Sequence, residues 1–207
     1  MTATILIRTL QTLEIAGGVL CLDLANTINS RFKPEHDYLK KYADLADWAF
    51  KVGILSSSQN VQLKKQAEQD TENAEKALRK ALFLREMFYR IFSNLAKGKE
   101  TDQEDINRLV KLYAEAISQS SFVRKENHFM AEWRVNETFD AMLWPIIYSA
   151  GQLLMSEDLN HVKECPGCGW LFLDTSKNQS RRWCNMNTCG ARDKMRRYHS
   201  KLRKKNS

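Results

Sequence analysis

Hydrophobic residues recur at helical spacing through most of the chain, with polar residues between them. Apolar positions three and four residues apart predict one helix over residues 42–52 and a longer helix over residues 72–97. Gly53 and Gly98 follow these stretches and are typical of helix C-termini, because glycine tolerates the left-handed conformation found there. Residues 56–58, three serines, offer N-caps for a further helix.

The middle of the chain continues this pattern, apart from one segment. Thr101-x-x-Glu104 has the form of a capping box and predicts the start of another helix. Residues 122–135 alternate between apolar and polar around a central turn, which predicts a β-hairpin. Residues 137–156 are strongly apolar and predict a helix, with Pro145 as the position of a kink. We therefore expect a mainly α, helical N-terminal domain that contains a small β-hairpin.

The last part of the chain shows a different pattern. After a short linker over residues 161–164, the run Trp170–Leu173 predicts a strand, and Arg181–Trp183 is expected to pair with it as a hairpin. Beyond Gly190 the spacing is helical again. One face of this helix is an apolar stripe of Met195, Tyr198 and Leu202, which we expect to pack on Trp170, Phe172 or Trp183.

Four of the five cysteines lie in this part, in the pattern Cys165-x2-Cys168-x15-Cys184-x4-Cys189. Two close pairs at this separation are typical of a tetrahedral zinc site. Disulfides are rare in a reducing cytosol, and a redox Cys-x-x-Cys motif would leave the other pair unused. Because cysteine fills every position, none stays open for a catalytic water, and we expect one structural Zn²⁺. Cys21 has apolar neighbours and is expected to be a buried thiol.

The turn at the first cysteine pair, the hairpin and the helix together predict a C-terminal four-cysteine module of treble-clef or zinc-ribbon-like form that ends in a basic helix.

The chain of 207 residues is 43% hydrophobic and 28% charged, which excludes low-complexity disorder. No uncharged apolar run approaches the roughly 20 residues of a membrane span, and the N-terminus lacks the pattern of a signal peptide. We expect a cytoplasmic protein without a membrane partner, with a helical domain over residues 1–160 and the zinc module over residues 161–207.

Positive charge is concentrated in the zinc module. Residues 161–207 hold twelve Lys and Arg against three acidic residues, a net charge of +9, whereas the other residues sum to −2. Such cations can neutralise nucleic-acid phosphates, and arginine can read guanine edges in a major groove. The alternative is a solvated basic terminus, which the interleaved cysteine and aromatic residues disfavour. The candidate nucleic-acid contacts are Arg181, Arg182, Arg192, Lys194, Arg196, Arg197, Lys201 and Arg203.

A family resemblance rests on these same residues. The stretch CPGCGWLFLDTSKNQSRRWCNMNTCGARDKMRRYHSKLR, residues 165–203, resembles the CGNR zinc finger, with Ala191 where that family has Asn. The stretch Gly17-Gly18-x-x-Cys21-Leu22-Asp23-Leu24-Ala25-Asn26-Thr27, with Arg31 and Asp44-Leu45-x-x-Trp48 after it, is similar to the ABATE domain. The resemblance implies a stress-induced transcription regulator that binds DNA through its finger.

Polar residues interrupt the apolar stretch near the N-terminus. Asp23, Asn26 and Thr27 share one helical face, Arg31 follows four residues later, and Arg85 lies in a similar apolar setting. One hypothesis is that these five residues line a small-ligand pocket in which the arginines read an anion. The alternative is a buried pair between Asp23 and either arginine, with Asn26 and Thr27 capping or turning the chain.

The function that these observations favour is a zinc-dependent DNA-binding transcription regulator. Its helical domain would sense a small-molecule effector or mediate homodimerisation, because a single short module needs paired half-sites for specific affinity. An RNA- or ribosome-associated zinc protein would explain the basic module equally well. Recognition of a protein through the finger is a further alternative. An enzyme using the N-terminal cluster is the weakest, because no complete acid–base or nucleophile–base arrangement is readable, and we expect no enzymatic activity.

Overall fold

The computed structural model describes residues 8–205, in which eleven helices and strands follow one another. These are α1 (Leu20–Ala25), α2 (Tyr42–Lys51), α3 (Ser57–Gln69), α4 (Thr71–Ala96), α5 (Gln103–Ser118), β1 (Ser121–Lys125), β2 (His128–Glu132), α6 (Trp144–Met155), β3 (Val162–Glu164), β4 (Leu171–Leu173) and α7 (Ala191–Lys205). Short 3-10 turns precede and follow α6, at Ala141–Leu143 and Glu157–His161. The mainly α prediction is confirmed. Among the described helices, none is both long enough and apolar enough to span a bilayer.

The helix boundaries follow from local sequence in most places. Ser56 caps α3, because its side chain accepts a hydrogen bond from the backbone N–H of Gln59. Gly53 and Gly98 follow α2 and α4 with φ of 80° and 63°, the left-handed region that glycine adopts without strain.

Two local predictions about helix starts are wrong. The capping residue of α5 is Asp102 rather than Thr101, since its carboxylate accepts from the Glu104 N–H at 2.9 Å. Pro145 does not kink a helix, because α6 begins at Trp144 and places the proline in its first turn. A proline there is unstrained, because the first N–H groups of a helix need no partner within it.

The predicted β-hairpin is confirmed. Strands β1 and β2 pair antiparallel, with Val123 opposite Met130 and Phe122 opposite Ala131. Glu126 lies in the turn with φ of 52°.

A second small sheet differs from the prediction. β4 pairs antiparallel with β3, the segment expected to be a linker, so the pairing of Arg181–Trp183 with Trp170–Leu173 is wrong. The Asp174 carboxylate explains this, because it accepts the backbone N–H of Arg181 at 2.9 Å and the ammonium of Lys163 at 2.6 Å. Burial raises the pKa of Asp174, but the Lys163 ammonium and two donors on Ser176 outweigh it and hold that pKa well below its usual range.

One continuous hydrophobic core joins the helical part to the zinc module. Helix α1 packs on α4, α6 and β4 and is buried along almost its whole length. Trp48 and Phe88 of the helical part and Phe172 of β4 are fully buried members of this core. The fold therefore holds the zinc module against α1.

Candidate metal centre and nucleic-acid interface

Two tight backbone turns bring the cysteine pairs together. In the first, the Gly169 N–H donates to the Cys165 carbonyl at 2.8 Å, with Gly169 in the left-handed region at φ 76°. In the second, a single π-helical turn over Met186–Gly190 begins at Asn185, whose side chain accepts the Asn187 N–H at 2.7 Å. Each turn directs two sulfur atoms toward the same point.

The four sulfur atoms form a compact cluster. The Sγ atoms of Cys165, Cys168, Cys184 and Cys189 all lie within 4.8 Å of one another, and all four residues are buried. The Cys168–Cys184 and Cys184–Cys189 Sγ separations are 3.5 and 3.7 Å. A tetrahedron with Zn–S bonds of about 2.3 Å has sulfur–sulfur edges of about 3.8 Å. The donor set and its size therefore fit a single structural Zn²⁺.

Arg181 is held inside this module. Its Nε donates to the Trp183 carbonyl at 2.9 Å, its Nη2 donates to the Cys184 carbonyl, and its guanidinium lies 4.6 Å from the centre of the Phe172 ring. A cation in this position offsets the negative charge of four thiolates around one Zn²⁺. The structure thus gives this predicted nucleic-acid contact a role within the metal module.

Helix α7 leaves the module and carries most of the other predicted contacts. Arg192, Lys194 and Lys201 are exposed, and within the described part of the chain no carboxylate lies within ion-pair distance of them. Arg196 and Arg197 are exposed too, but each pairs with Asp193, at 2.6 and 2.7 Å. Arg182 lies outside α7, exposed, with its guanidinium 5.0 Å from the Trp183 ring centre. The side chain of Arg203 lies outside the described part of the structure.

The expected packing of the α7 apolar stripe is wrong. Met195, Tyr198 and Leu202 are 55, 58 and 40% exposed. The aromatic residues that they were expected to cover are buried by other partners: the indole of Trp170 donates to the Ile28 carbonyl at 2.6 Å, for example. The helical part covers Trp170 in place of α7, and α7 projects from the module with a largely exposed surface.

The residues on either side of α1 form the docking interface for the zinc module. The Asn26 side chain makes two hydrogen bonds to the backbone of Leu171, donating to its carbonyl at 2.8 Å and accepting its N–H at 2.9 Å. The Arg31 N–H donates to the carbonyl of the zinc ligand Cys168 at 2.7 Å. The Leu173 N–H donates to the Gly17 carbonyl at 2.8 Å. We call these contacts, with the Trp170–Ile28 bond, the docking interface.

Comparison with family models agrees with this architecture. Residues 18–157 match the ABATE model, described as "Putative stress-induced transcription regulator". The chain belongs to the ABATE family. Residues 161–201 of this ABATE protein match the CGNR zinc finger. No curated protein is similar enough in sequence to match the chain.

Two of the five predicted ligand-pocket residues of this ABATE protein support the turn at α1. Asp23 is buried and accepts the Gly17 N–H at 2.7 Å, while the Thr27 hydroxyl donates to the Leu24 carbonyl at 2.8 Å. Burial raises the pKa of Asp23 to about 6, and the hydrogen bonds from Gly17 and Ala16 offset only part of that rise.

The two arginines of the predicted pocket pair with other acids. Arg31 Nη1 and Arg85 Nε each lie close to the Glu86 carboxylate, at 2.6 and 2.8 Å, and Arg85 also pairs with Asp37 at 2.8 Å. The Arg31 guanidinium lies 4.1 Å from the ring centre of Tyr89. The pairing with Asp23 is thus replaced by pairing with Glu86 and Asp37. Since all five predicted pocket residues, Asn26 included, have partners within the chain, ligand binding by them stays a prediction.

Sequence reasoning missed a cleft between the helical part and the zinc module of this ABATE protein. It has a volume of about 490 Å³ and adjoins the zinc ligands Cys168, Cys184 and Cys189. Its walls include Phe32, Lys33, Glu14 and Glu35 from the helical part and Arg192 and Arg196 from α7. Phe32 is 54% exposed. The sequence gives no signal for this cleft, because its walls come from segments far apart along the chain.

Proposed function

We propose that the protein is a zinc-dependent regulator that binds duplex DNA through α7, with the cleft as an extension of the same surface. The observation that carries this proposal is the set of exposed cations on a helix that begins two residues after the last zinc ligand, Cys189. The docking interface fixes the zinc module to the helical core, so the start of α7 has a defined orientation. The proposal places the protein in the cytoplasm and includes no catalytic step.

The cations divide by their partners. Arg192, Lys194 and Lys201 are free to neutralise phosphates, whereas Asp193 already balances part of the charge of Arg196 and Arg197. Lys33 adds a cation from the helical part to the lining of the cleft, which also holds Glu14 and Glu35, so α7 is the main positive surface. Each phosphate neutralised by such a residue releases counterions, which makes the affinity depend on salt.

The test is a fluorescence-anisotropy titration of the zinc-loaded protein with random duplex DNA and with structured RNA over a salt series. The variant Arg192→Ala/Arg196→Ala removes two α7 cations that lie one helical turn apart and both line the cleft. Each lost phosphate contact should reduce the slope of log K against log salt by about 0.9. The matched control is Lys76→Ala/Arg79→Ala on α4, which removes two exposed cations far from the zinc centre and should leave the slope unchanged.

Zinc content is measured for every variant, so that loss of the module is not mistaken for loss of contacts. Absence of duplex binding, or equal slopes for the α7 and α4 variants, would overturn the proposal.

Single-stranded RNA is a second candidate, favoured by one observation. The exposed Phe32 ring lies in the cleft beside Lys33, and an aromatic side chain next to a cation can stack on an unpaired base. An unstructured single-stranded RNA is added to the same titration for this purpose. Stronger binding of that RNA than of duplex DNA at equal salt, together with a loss of at least about fivefold in its affinity for Phe32→Ala, would favour this candidate.

A further inference from the structure

The β-hairpin of residues 121–132 exposes an unusual amount of apolar surface. Phe122, Val123, Phe129 and Met130 are 58, 37, 65 and 48% exposed. All the residues of β1 are exposed, and those of β2 are exposed except the partly covered Ala131. Alternation along the strands puts Val123 and Met130 on one face and Phe122 and Phe129 on the other, so both faces of the hairpin expose apolar side chains. Exposed apolar surface of this kind on a small element is typical of an interaction site.

The hairpin also lacks a third strand. It is a two-stranded sheet, and within residues 8–205 no other strand pairs with either outer edge. A two-stranded hairpin alone is marginally stable in water, and an outer edge presents unpaired N–H and C=O groups to another strand. Strand addition at such an edge is an established mode of protein association.

The sequence of β2, His128-Phe-Met-Ala-Glu132, is complementary to itself in antiparallel orientation. With Met130 opposite the Met130 of a second copy, His128 lies opposite Glu132 and Phe129 opposite Ala131. Every apolar residue thus meets an apolar residue, and the acidic residue meets the imidazole. In β1 the same arrangement places Phe122 opposite Arg124 and is less favourable. Complementarity of this kind is what a two-fold interface requires, because each strand contributes the same surface.

We propose that this hairpin is the dimer interface, in which β2 pairs antiparallel with β2 of a second copy about a two-fold axis at Met130. The result is a four-stranded sheet across two protomers. The observed register of β1 and β2 places Val123 beside Met130, so the dimer has one apolar row running Val123, Met130, Met130, Val123 across all four strands. Lys125 and Glu132 already form an ion pair of 3.2 Å within the hairpin, and His128 of the second copy extends it.

Dimerisation does not depend on the proposed DNA binding. It would join two zinc modules in one particle, which is the arrangement needed to contact two half-sites. Its test uses no nucleic acid, so its outcome is separate from that of the anisotropy experiment.

The first measurement is sedimentation equilibrium of the full-length, zinc-loaded protein over a wide concentration range. The variant Met130→Glu places two carboxylates directly opposite each other at the two-fold axis, and like charges opposite each other disfavour pairing. The dissociation constant should rise by more than about tenfold. The matched control is Val61→Glu on α3, an apolar residue that is 64% exposed and should leave the constant unchanged.

A second measurement covers the case in which Met130→Glu unfolds the hairpin. Met130→Cys should be joined to its symmetry mate by a short bifunctional thiol reagent, because directly opposite Cβ atoms lie about 5 Å apart. Val61→Cys, at a position that is 64% exposed against 48% for Met130, should stay monomeric in denaturing electrophoresis. A protein that is monomeric at every concentration, a dimer unaffected by Met130→Glu, or equal cross-linking of both cysteine variants would overturn the proposal.

Discussion

Removal of the Asn26 side chain should weaken the attachment of the zinc module more than any other single truncation at the docking interface. Asn26 is 1% exposed and Leu171 is completely buried. Asn26→Ala leaves the N–H and the carbonyl of Leu171 without partners in a place that water reaches poorly. Each unsatisfied buried group costs about 1–3 kcal/mol, so the loss of both partners should lower the free energy of unfolding by about 2–6 kcal/mol.

This loss is large compared with a typical total stability of about 5–15 kcal/mol. For a chain of this size it corresponds to a fall in the midpoint of thermal unfolding of about 5–15 °C. The assay is urea and thermal unfolding of the zinc-loaded protein, followed by circular dichroism. The variant should also release zinc at a lower chelator concentration, because docking stabilises the metal-bound module.

Two further variants separate hydrogen bonding from shape. Asn26→Asp keeps the size of the side chain but removes the donor to the Leu171 carbonyl, so it should be destabilised as well. Asn107→Ala removes an exposed asparagine on α5 whose one hydrogen bond, from Gln103, is at the surface. It should change stability by less than about 0.5 kcal/mol. If Asn26→Ala stays within that same limit, the docking interface does not stabilise the fold as the reasoning requires.

Three other predictions follow from the same structure. Because the core is continuous, zinc removal by a chelator should lower the unfolding midpoint of the whole chain in a single calorimetric transition, and two well-separated transitions would contradict this. Gly169→Ala places a Cβ 2.6 Å from the Cβ of Arg31 at a φ of 76°, and should lower the free energy of unfolding in urea by several kcal/mol. Gly98→Ala, at a φ of 63° with open space around it, should lower it by only about 1 kcal/mol. Equal losses of stability for the two variants would refute the steric argument. The pKa of Asp23 is raised to about 6 in the folded state, so that state binds the proton more tightly than the unfolded chain and stability falls as the pH rises from about 4 to 6. Asp23→Asn removes this loss, and the stability of the variant relative to the wild type should therefore increase over that interval, by on the order of 2 kcal/mol; a constant difference would contradict the assignment.

The helices and the metal site are predictable from sequence because their signals are local. The period of apolar residues predicts α2 and α4, and the spacing of the cysteines specifies a four-sulfur cluster before any fold is known. The exact capping residue is harder to predict, because adjacent residues can both be suitable. At α5, Thr101 and Asp102 are both good capping residues, and the structure uses Asp102.

The wrong predictions about packing share one cause. An apolar stripe shows that a helix has an apolar face, but the sequence does not show whether anything covers it, and on α7 it stays exposed. The polar residues after Gly18 did signal a buried polar contact. The partner of Asn26, however, lies 145 residues away in sequence, and no local pattern connects the two. In the sequence, a ligand pocket and a docking interface for another part of the chain produce the same pattern of polar residues within an apolar stretch.

The bond from the Arg31 N–H to the carbonyl of Cys168 has a consequence for engineering this fold. The turn that holds Cys165 and Cys168 accepts a backbone hydrogen bond from outside the zinc module, so the module cannot be replaced by another finger without changing the segment that supplies this bond. A finger grafted from a relative would bring its own C-terminal basic helix but would meet a docking interface that it did not evolve with. Its substitutions near Trp170 would need matching changes around residues 17–31. Chimeras that exchange both segments together should retain their metal, and over evolutionary time the two segments should change in concert.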